Sequence, residues 1–157
     1  MQSKIKISVG SDHAGFEFKR RILEILGHLN DKKYDPEDAG TFNNDASDYP
    51  DAAIKVAGSV SEGKADRGVL VCGSGIGMSM VANKFPGVRA ARVTDLETAK
   101  LSRLHNDANV LILGERVLAP GLLPEILKIW FETAFEGGRH QRRLDKISEL
   151  ENKLFKR

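Results

Sequence analysis

Short β-branched runs alternate with helix-periodic stretches along the whole chain, and this alternation limits the fold more than any other feature. Residues 5–10 (IKISVG) read as a first strand, short and stopped by glycine. Phe18, Ile22, Ile25, Leu26 and Leu29 then fall at helical spacing. Residues 31–51 are acidic and turn-rich, with room for one short strand around Tyr34, and residues 52–63 read as a modest helix. Residues 67–71 make a third strand, followed by a helix that starts near Ile76 and ends before Pro86. A fourth strand at 88–93 precedes Thr94-Asp95-Leu96-Glu97, whose capping-box form opens a helix to about Leu104. Residues 110–113 make a fifth strand. Leu123, Ile126, Leu127, Trp130 and Ala134 mark another amphipathic helix, and Gly137-Gly138 breaks it. Leu144, Ile147, Leu150 and Leu154 stripe a last helix over about residues 140–156.

Strands separated by helices of this length imply a parallel sheet covered on both faces. The expected fold is therefore α/β: a single doubly wound, Rossmann-like domain over residues 1–157, with a five-stranded, mostly parallel sheet and a C-terminal helix. A chain of 157 residues can bury one full core, and no repeat, low-complexity segment or long linker divides it. In such folds ligands bind outside the carboxyl ends of the strands, where the strand order reverses. Cys72, after the third strand, lies on that edge, as do Asp12 and His13 after the first.

Composition narrows the setting. Cys72 is the only cysteine, so no intrachain disulfide exists and a reducing compartment is expected. The apolar stretch at residues 5–9 is too short for a signal core or a membrane span, which reads as a cytoplasmic chain with no membrane partner. The net charge is only +2, but residues 137–157 hold seven Lys/Arg against three Asp/Glu. A basic patch on a near-neutral body suits a small anion. No run of five Lys/Arg occurs and aromatics make up 6%, which argues against a nucleic-acid partner.

The segment VLVCGSGIGMS (residues 69–79) carries Cys72 into glycines at every second position. A dinucleotide fingerprint would need a glycine where Met78 stands and would follow the first strand. A P-loop would need a lysine that this loop lacks. What remains is a set of backbone N–H groups near a helix start, which favours negative charge on a bound oxyanion or a nearby sulfur. A thiolate base beside a preorganised oxyanion hole is what proton abstraction next to a carbonyl requires. The plainer reading is a small core cysteine with glycines that permit close helix–sheet packing. On the loop alone the two stand level.

Other polar clusters shift the balance. Asp12 and His13 in SDHAG begin a loop on the catalytic edge, though an Asp cap with a surface histidine is the simple alternative. His105 and Asn106 close a helix, where both residue types also serve as ordinary caps. Arg139 and Arg143 lie four apart on one helix face and suit a phosphate, against the usual solvated basic face. Arg116, just after the fifth strand, is a third phosphate ligand or a surface charge. No His/Cys/Asp/Glu spacing has zinc-site form and the chain has one cysteine, so no metal is expected; the glycine spacing and the missing lysine in turn argue against a nucleotide cofactor.

Together GSDHAGF, DYPD, VCGSGIGMS with ANKFPGVRA, LSRLHNDANVLILGERV and EGGRHQRR resemble the type B ribose-5-phosphate isomerases and their sugar-phosphate isomerase relatives. The resemblance runs through nearly the whole chain in order. It implies cofactor-free interconversion of an aldose phosphate and a ketose phosphate, with ribose 5-phosphate as the first substrate. Cys72 matches the base that moves a proton between C1 and C2 through an enediolate. Gly73, Ser74, Gly75, Ile76 and Gly77 match the anion hole, with Ser74 where many relatives have Thr. His105 matches the group that opens the furanose ring, with Asn106 beside it and Asp12 assisting. His13, Arg116, Arg139 and Arg143 match the groups that hold substrate and phosphate. Some relatives use Glu as the base, and Cys72 puts this chain in the thiol group. The acidic loop before Tyr49 is slightly long and leaves sugar length open, so isomerases of galactose or allose 6-phosphate are the nearest alternative. A non-catalytic sugar-phosphate-binding module is a third reading, but it gives Cys72 and His105 no work.

Topology adds one expectation. Asp12, Cys72 and Arg116 follow strands, whereas His105, Arg139 and Arg143 follow helices that run back to the opposite edge. A strand of five or six residues spans roughly 17–20 Å, too far for Cys72 and His105 to meet on one sugar within a subunit. A twofold homodimer with shared sites, or a tetramer of such dimers, would bring them together, with the last helix at the interface.

Overall fold

The computed structural model describes residues 2–155. Its five strands are β1 (Ile5–Ser11), β2 (Tyr34–Asp38), β3 (Arg67–Cys72), β4 (Ala90–Arg92) and β5 (Val110–Gly114). The helices are α1 (Phe16–His28), α2 (Tyr49–Ser61), α3 (Ile76–Ala82), α4 (Leu96–Leu104), α5 (Leu123–Glu132) and α6 (Arg139–Leu154). The sheet order is β2-β1-β3-β5-β4, and all four pairings are parallel rather than mostly so. The chain winds outward to β2 and then crosses to the other side of β1, so the reversal falls between β1 and β3.

Period-two alternation in the central strands sorts two cores. Val69 and Val71 of β3, with Leu111 and Leu113 of β5, face α1, α4 and α5. Leu70, Cys72, Val110 and Ile112 point the other way, into a thinner layer of Ala53, Val56, Ala57, Met78 and Ala82 from α2 and α3. The small residues of α2 let it lie close to the sheet, and Cys72 ends its strand facing that side.

Several boundaries move. The helix expected from residue 52 starts at Tyr49, because Pro50 suits a first helical turn. The fourth strand shrinks from 88–93 to Ala90–Arg92, since it is an edge strand paired only with β5. The cap of α4 is Asp95, not Thr94: its carboxylate accepts the Thr98 N–H at 2.7 Å and Thr98 returns the bond. The helix marked by Trp130 ends at Glu132, before Ala134, with the Thr133 hydroxyl bonding back to the Ile129 carbonyl. Position 156 of the expected last helix lies outside the described residues.

Trp130 anchors the larger core. It is fully buried, edge-on to Phe131 at 4.9 Å, with the guanidinium groups of Arg67 and Arg103 each 5.5 Å from its ring. Trp130→Ala is expected to cost about 3–5 kcal/mol, a fall in Tm of roughly 10 °C for a chain of this size. An unchanged thermal melt would contradict this packing account.

Candidate active site

Cys72 is the last residue of β3, and the turn after it is shaped by Gly75, whose φ of 78° lies in the left-handed region that favours glycine. This turn aims the Gly75 N–H back at the sulfur, 3.1 Å from Cys72 Sγ. Ile76 N–H bonds to Ser74 Oγ at 3.2 Å. From outside, Arg92 Nε donates to the Ser74 carbonyl at 2.7 Å. The turn after β5 is laced to the same loop: Glu115 N–H donates to the Cys72 carbonyl at 2.9 Å and Arg116 N–H to the Gly73 carbonyl at 3.0 Å. That lacing lays the Arg116 guanidinium over Gly73, with Nη1 3.1 Å from where a Cβ would stand. Cys72, Gly73, Ser74, Gly75, Ile76 and Arg116 therefore form one surface.

Asp12 closes its inner side. It is buried, its own N–H donates to the Val71 carbonyl, and Gly15 N–H donates to its Oδ1 at 3.1 Å. His13, exposed, is tied through its backbone N–H to Ser47 Oγ at 3.0 Å, and its Nδ1 receives the Ser47 N–H at 3.1 Å. Burial pushes the Glu115 carboxyl above the usual range, against a hydrogen bond from the Phe18 backbone, with Glu17 and Asp12 adding to the rise and Arg116 opposing it. Beside these residues a pocket of about 230 Å³ opens, lined by Ser11, Thr41, Ser47, Asp48, Asp51 and Lys55 among others.

Ser47 and Tyr49 were not singled out from the sequence. Gly77 matters because the Tyr49 ring lies on it: a Cβ there would sit 2.5 Å from the ring. The DYPD segment holds Tyr49 but not Ser47, and the partners of the two, Gly77 and His13, are 28 and 34 residues away.

The remaining candidates gather at the other edge. α4 runs back from Asp95 and ends at Leu104, and His105 caps it. Arg89, just before β4, donates Nε to the carbonyls of Asn106 (3.2 Å) and Asp107 (3.1 Å), which fixes this corner where β4 and β5 begin. Val110 pairs with Gly68 near the start of β3, whereas Cys72 pairs with Gly114 at its end. The His105 corner and the Cys72 loop thus lie at opposite ends of the strands.

Glu136 N–H caps the Leu104 carbonyl at 3.0 Å and brings the start of α6 to this corner. The His105 ring stacks on His140, with centroids 4.2 Å apart and planes 15° apart. Glu136 Oε2 lies 3.8 Å from Nε2 of each ring. His140 is 4% exposed and its Nε2 has no hydrogen-bond partner among the described residues. Burial pushes its imidazole below the ordinary histidine value, with His105, Arg139 and Arg143 acting the same way and Glu136 against. Arg139 and Arg143 are exposed. The sequence reading missed His140 and Glu136, and its expectation of no metal-ligand cluster rested on local spacing. These three ligand atoms meet only in the folded chain, within 4.8 Å of one another.

Fold and site together define a doubly wound α/β domain with a thiol, a glycine-rich turn and an arginine gathered at the carboxyl ends of its strands. The model of the ribose/galactose isomerase family matches residues 7–147. Ribose-5-phosphate isomerase B of Escherichia coli is 43% identical over 148 residues, covering 94% of this chain and 97% of that one. The structure of ribose-5-phosphate isomerase B from Clostridium thermocellum superposes with a TM-score of 0.89 at 47% identity, over 96% of this chain and 99% of that one. The enzyme from Mycoplasma genitalium with bound ribulose-5-phosphate gives 0.87 at 40% identity, over 96% and 99%. The chain belongs to the ribose/galactose isomerase family and is an isomerase. No described helix is long and apolar enough to cross a membrane.

Proposed function

We propose that the chain interconverts ribose 5-phosphate and ribulose 5-phosphate through an enediolate. The observation that carries this reading is the Cys72 sulfur, held at a strand end against the Gly75 N–H, in a chain similar over 94% of its length to ribose-5-phosphate isomerase B. Cys72 removes the proton from C2 of the open-chain aldose and returns it to C1. The amides of residues 73–77 and the Ser74 hydroxyl hold the negative charge that develops on oxygen. His105, with Asn106 and Asp12, opens the furanose ring. His13, Arg116, Arg139 and Arg143 bind the substrate and its phosphate. One carbon is oxidised as its neighbour is reduced, so the reaction is balanced internally and calls for no cofactor.

Because the two groups sit at opposite edges, the working site is shared: Cys72 from one subunit and His105 from its twofold partner. Surface chemistry supports such a pairing. Ile147, Leu150 and Leu154 of α6 are 44%, 55% and 68% exposed and border a groove of about 510 Å³ that also includes Val88, Asn106 and Leu144. An apolar stripe of this kind on a polar helix suits a partner subunit. The whole chain serves as one catalytic unit in the cytoplasm, with no nucleic acid involved.

The direct test follows turnover and isotope uptake in deuterated water. With ribose 5-phosphate, ribulose 5-phosphate should form carrying deuterium at C1, faster than galactose or allose 6-phosphate is isomerised. A hexose phosphate turned over faster would move the assignment within the family. Binding without turnover of any of them would reduce the chain to a sugar-phosphate-binding module.

A further inference from the structure

His140 has no task in the proposed reaction, yet it is an expensive residue to bury. A ring nitrogen shut away from water without a partner costs about 1–3 kcal/mol. On α6 it occupies an inward position with Leu144, one turn on, while Arg139 and Arg143 stay outside. Its unpartnered Nε2 faces a carboxylate oxygen at 3.8 Å, and the same oxygen stands 3.8 Å from Nε2 of His105. This is too long for hydrogen bonds. It is close to the separation of neighbouring ligand atoms around a tetrahedral zinc ion, about 3.4 Å for bonds of 2.0–2.1 Å.

We propose that His105, Glu136 and His140 form a binding site for a divalent ion of the zinc class, with three protein ligands and a fourth position open to water. Two imidazoles and one carboxylate are a borderline donor set, which selects Zn²⁺ or Co²⁺ over the oxygen-seeking Mg²⁺ and Ca²⁺. Buried His140 supplies the fixed ligand. The side chains of His105 and Glu136, 34% and 46% exposed, have room to turn the stacked geometry into a converging one. The nearby guanidinium groups of Arg139 and Arg143 oppose a cation and keep its affinity below that of a closed structural zinc site. The consequence for catalysis rests on the proposed isomerase reading: a metal on His105 withholds it from ring opening, so the ion acts as an inhibitor.

The full chain, stripped with EDTA and desalted, is titrated with Co²⁺ and with Zn²⁺. One equivalent per chain should give the visible d–d absorption of a four- or five-coordinate cobalt site and a matching calorimetric isotherm for zinc. Loss of an outer-shell partner alone weakens metal sites 10–100-fold, so Glu136→Gln and His140→Gln should each weaken binding at least about tenfold. Glu136 is half exposed, so its variant keeps the test valid even where His140→Gln fails to fold. Zinc should also inhibit ribose 5-phosphate turnover, with an inhibition constant that rises at least about tenfold in Glu136→Gln. No cobalt band, or binding unchanged in Glu136→Gln, overturns the site. Metal binding in a protein without isomerase activity keeps the site and removes the functional reading. Isomerase activity without metal binding does the reverse.

Discussion

Replacing Cys72 with alanine lowers kcat for ribose 5-phosphate by about 10²–10⁴-fold, the range a positioned general base contributes. The same protein stops placing deuterium at C1. The sulfur is the only thiol in the chain, and it lies where β3 delivers it, against the Gly75 N–H and beneath the loop that carries Arg116. Cys72 also packs with Val56, Met78 and Ile112, so the plainer core role is real and must be separated from the chemical one. Truncation to alanine leaves a small cavity and one unpartnered N–H, a loss of about 1–2 kcal/mol. A folded variant with a slightly lower Tm and almost no turnover supports the base assignment. Activity within tenfold of the parent would assign the thiol to packing alone.

Mixing two dead proteins restores activity. Cys72→Ala and His105→Asn each remove one half of the proposed shared site, and the two residues lie at opposite ends of β3 and β5. After unfolding and refolding together, half of randomly paired dimers are mixed, and each holds one intact site. The mixture should recover about a quarter of the parent activity, as expected for a twofold interface. The gain is measured against each variant refolded alone. A mixture that stays inactive while mixed dimers form, as seen by mass-tagged chains, would return Cys72 and His105 to a single subunit and overturn the shared site.

Much of this arrangement was readable in one dimension, for physical reasons. Helical and strand periodicities are local properties, and the order of alternating elements leaves few topologies once crossovers must be right-handed. That was enough to put Cys72, Asp12 and Arg116 at one edge and His105 at the other. The glycine-rich loop after β3 could be read because its glycines carry backbone meaning by themselves. Gly75 takes the positive φ that turns an N–H onto the sulfur.

Other details depended on packing between distant segments. Pro50 let α2 begin three residues early, which set the Tyr49 ring on Gly77. Ser47 reached His13 across a loop whose course no local rule fixes. The capping box of α4 shifted by one residue because Asp95, not Thr94, took the extended conformation at the helix start.

Residue types and their order along the chain were therefore sufficient to determine the α/β alternation, the strand-end position of the thiol and the separation of the two candidate halves. Only the tertiary structure decided that His105 stacks on His140 with Glu136 beside both, because residues 31 and 35 apart meet only when the segment leading into α6 caps the end of α4. Short-range periodicity carries no term for such a contact. It is set by where two elements dock, and docking is determined by the shape of the core as a whole.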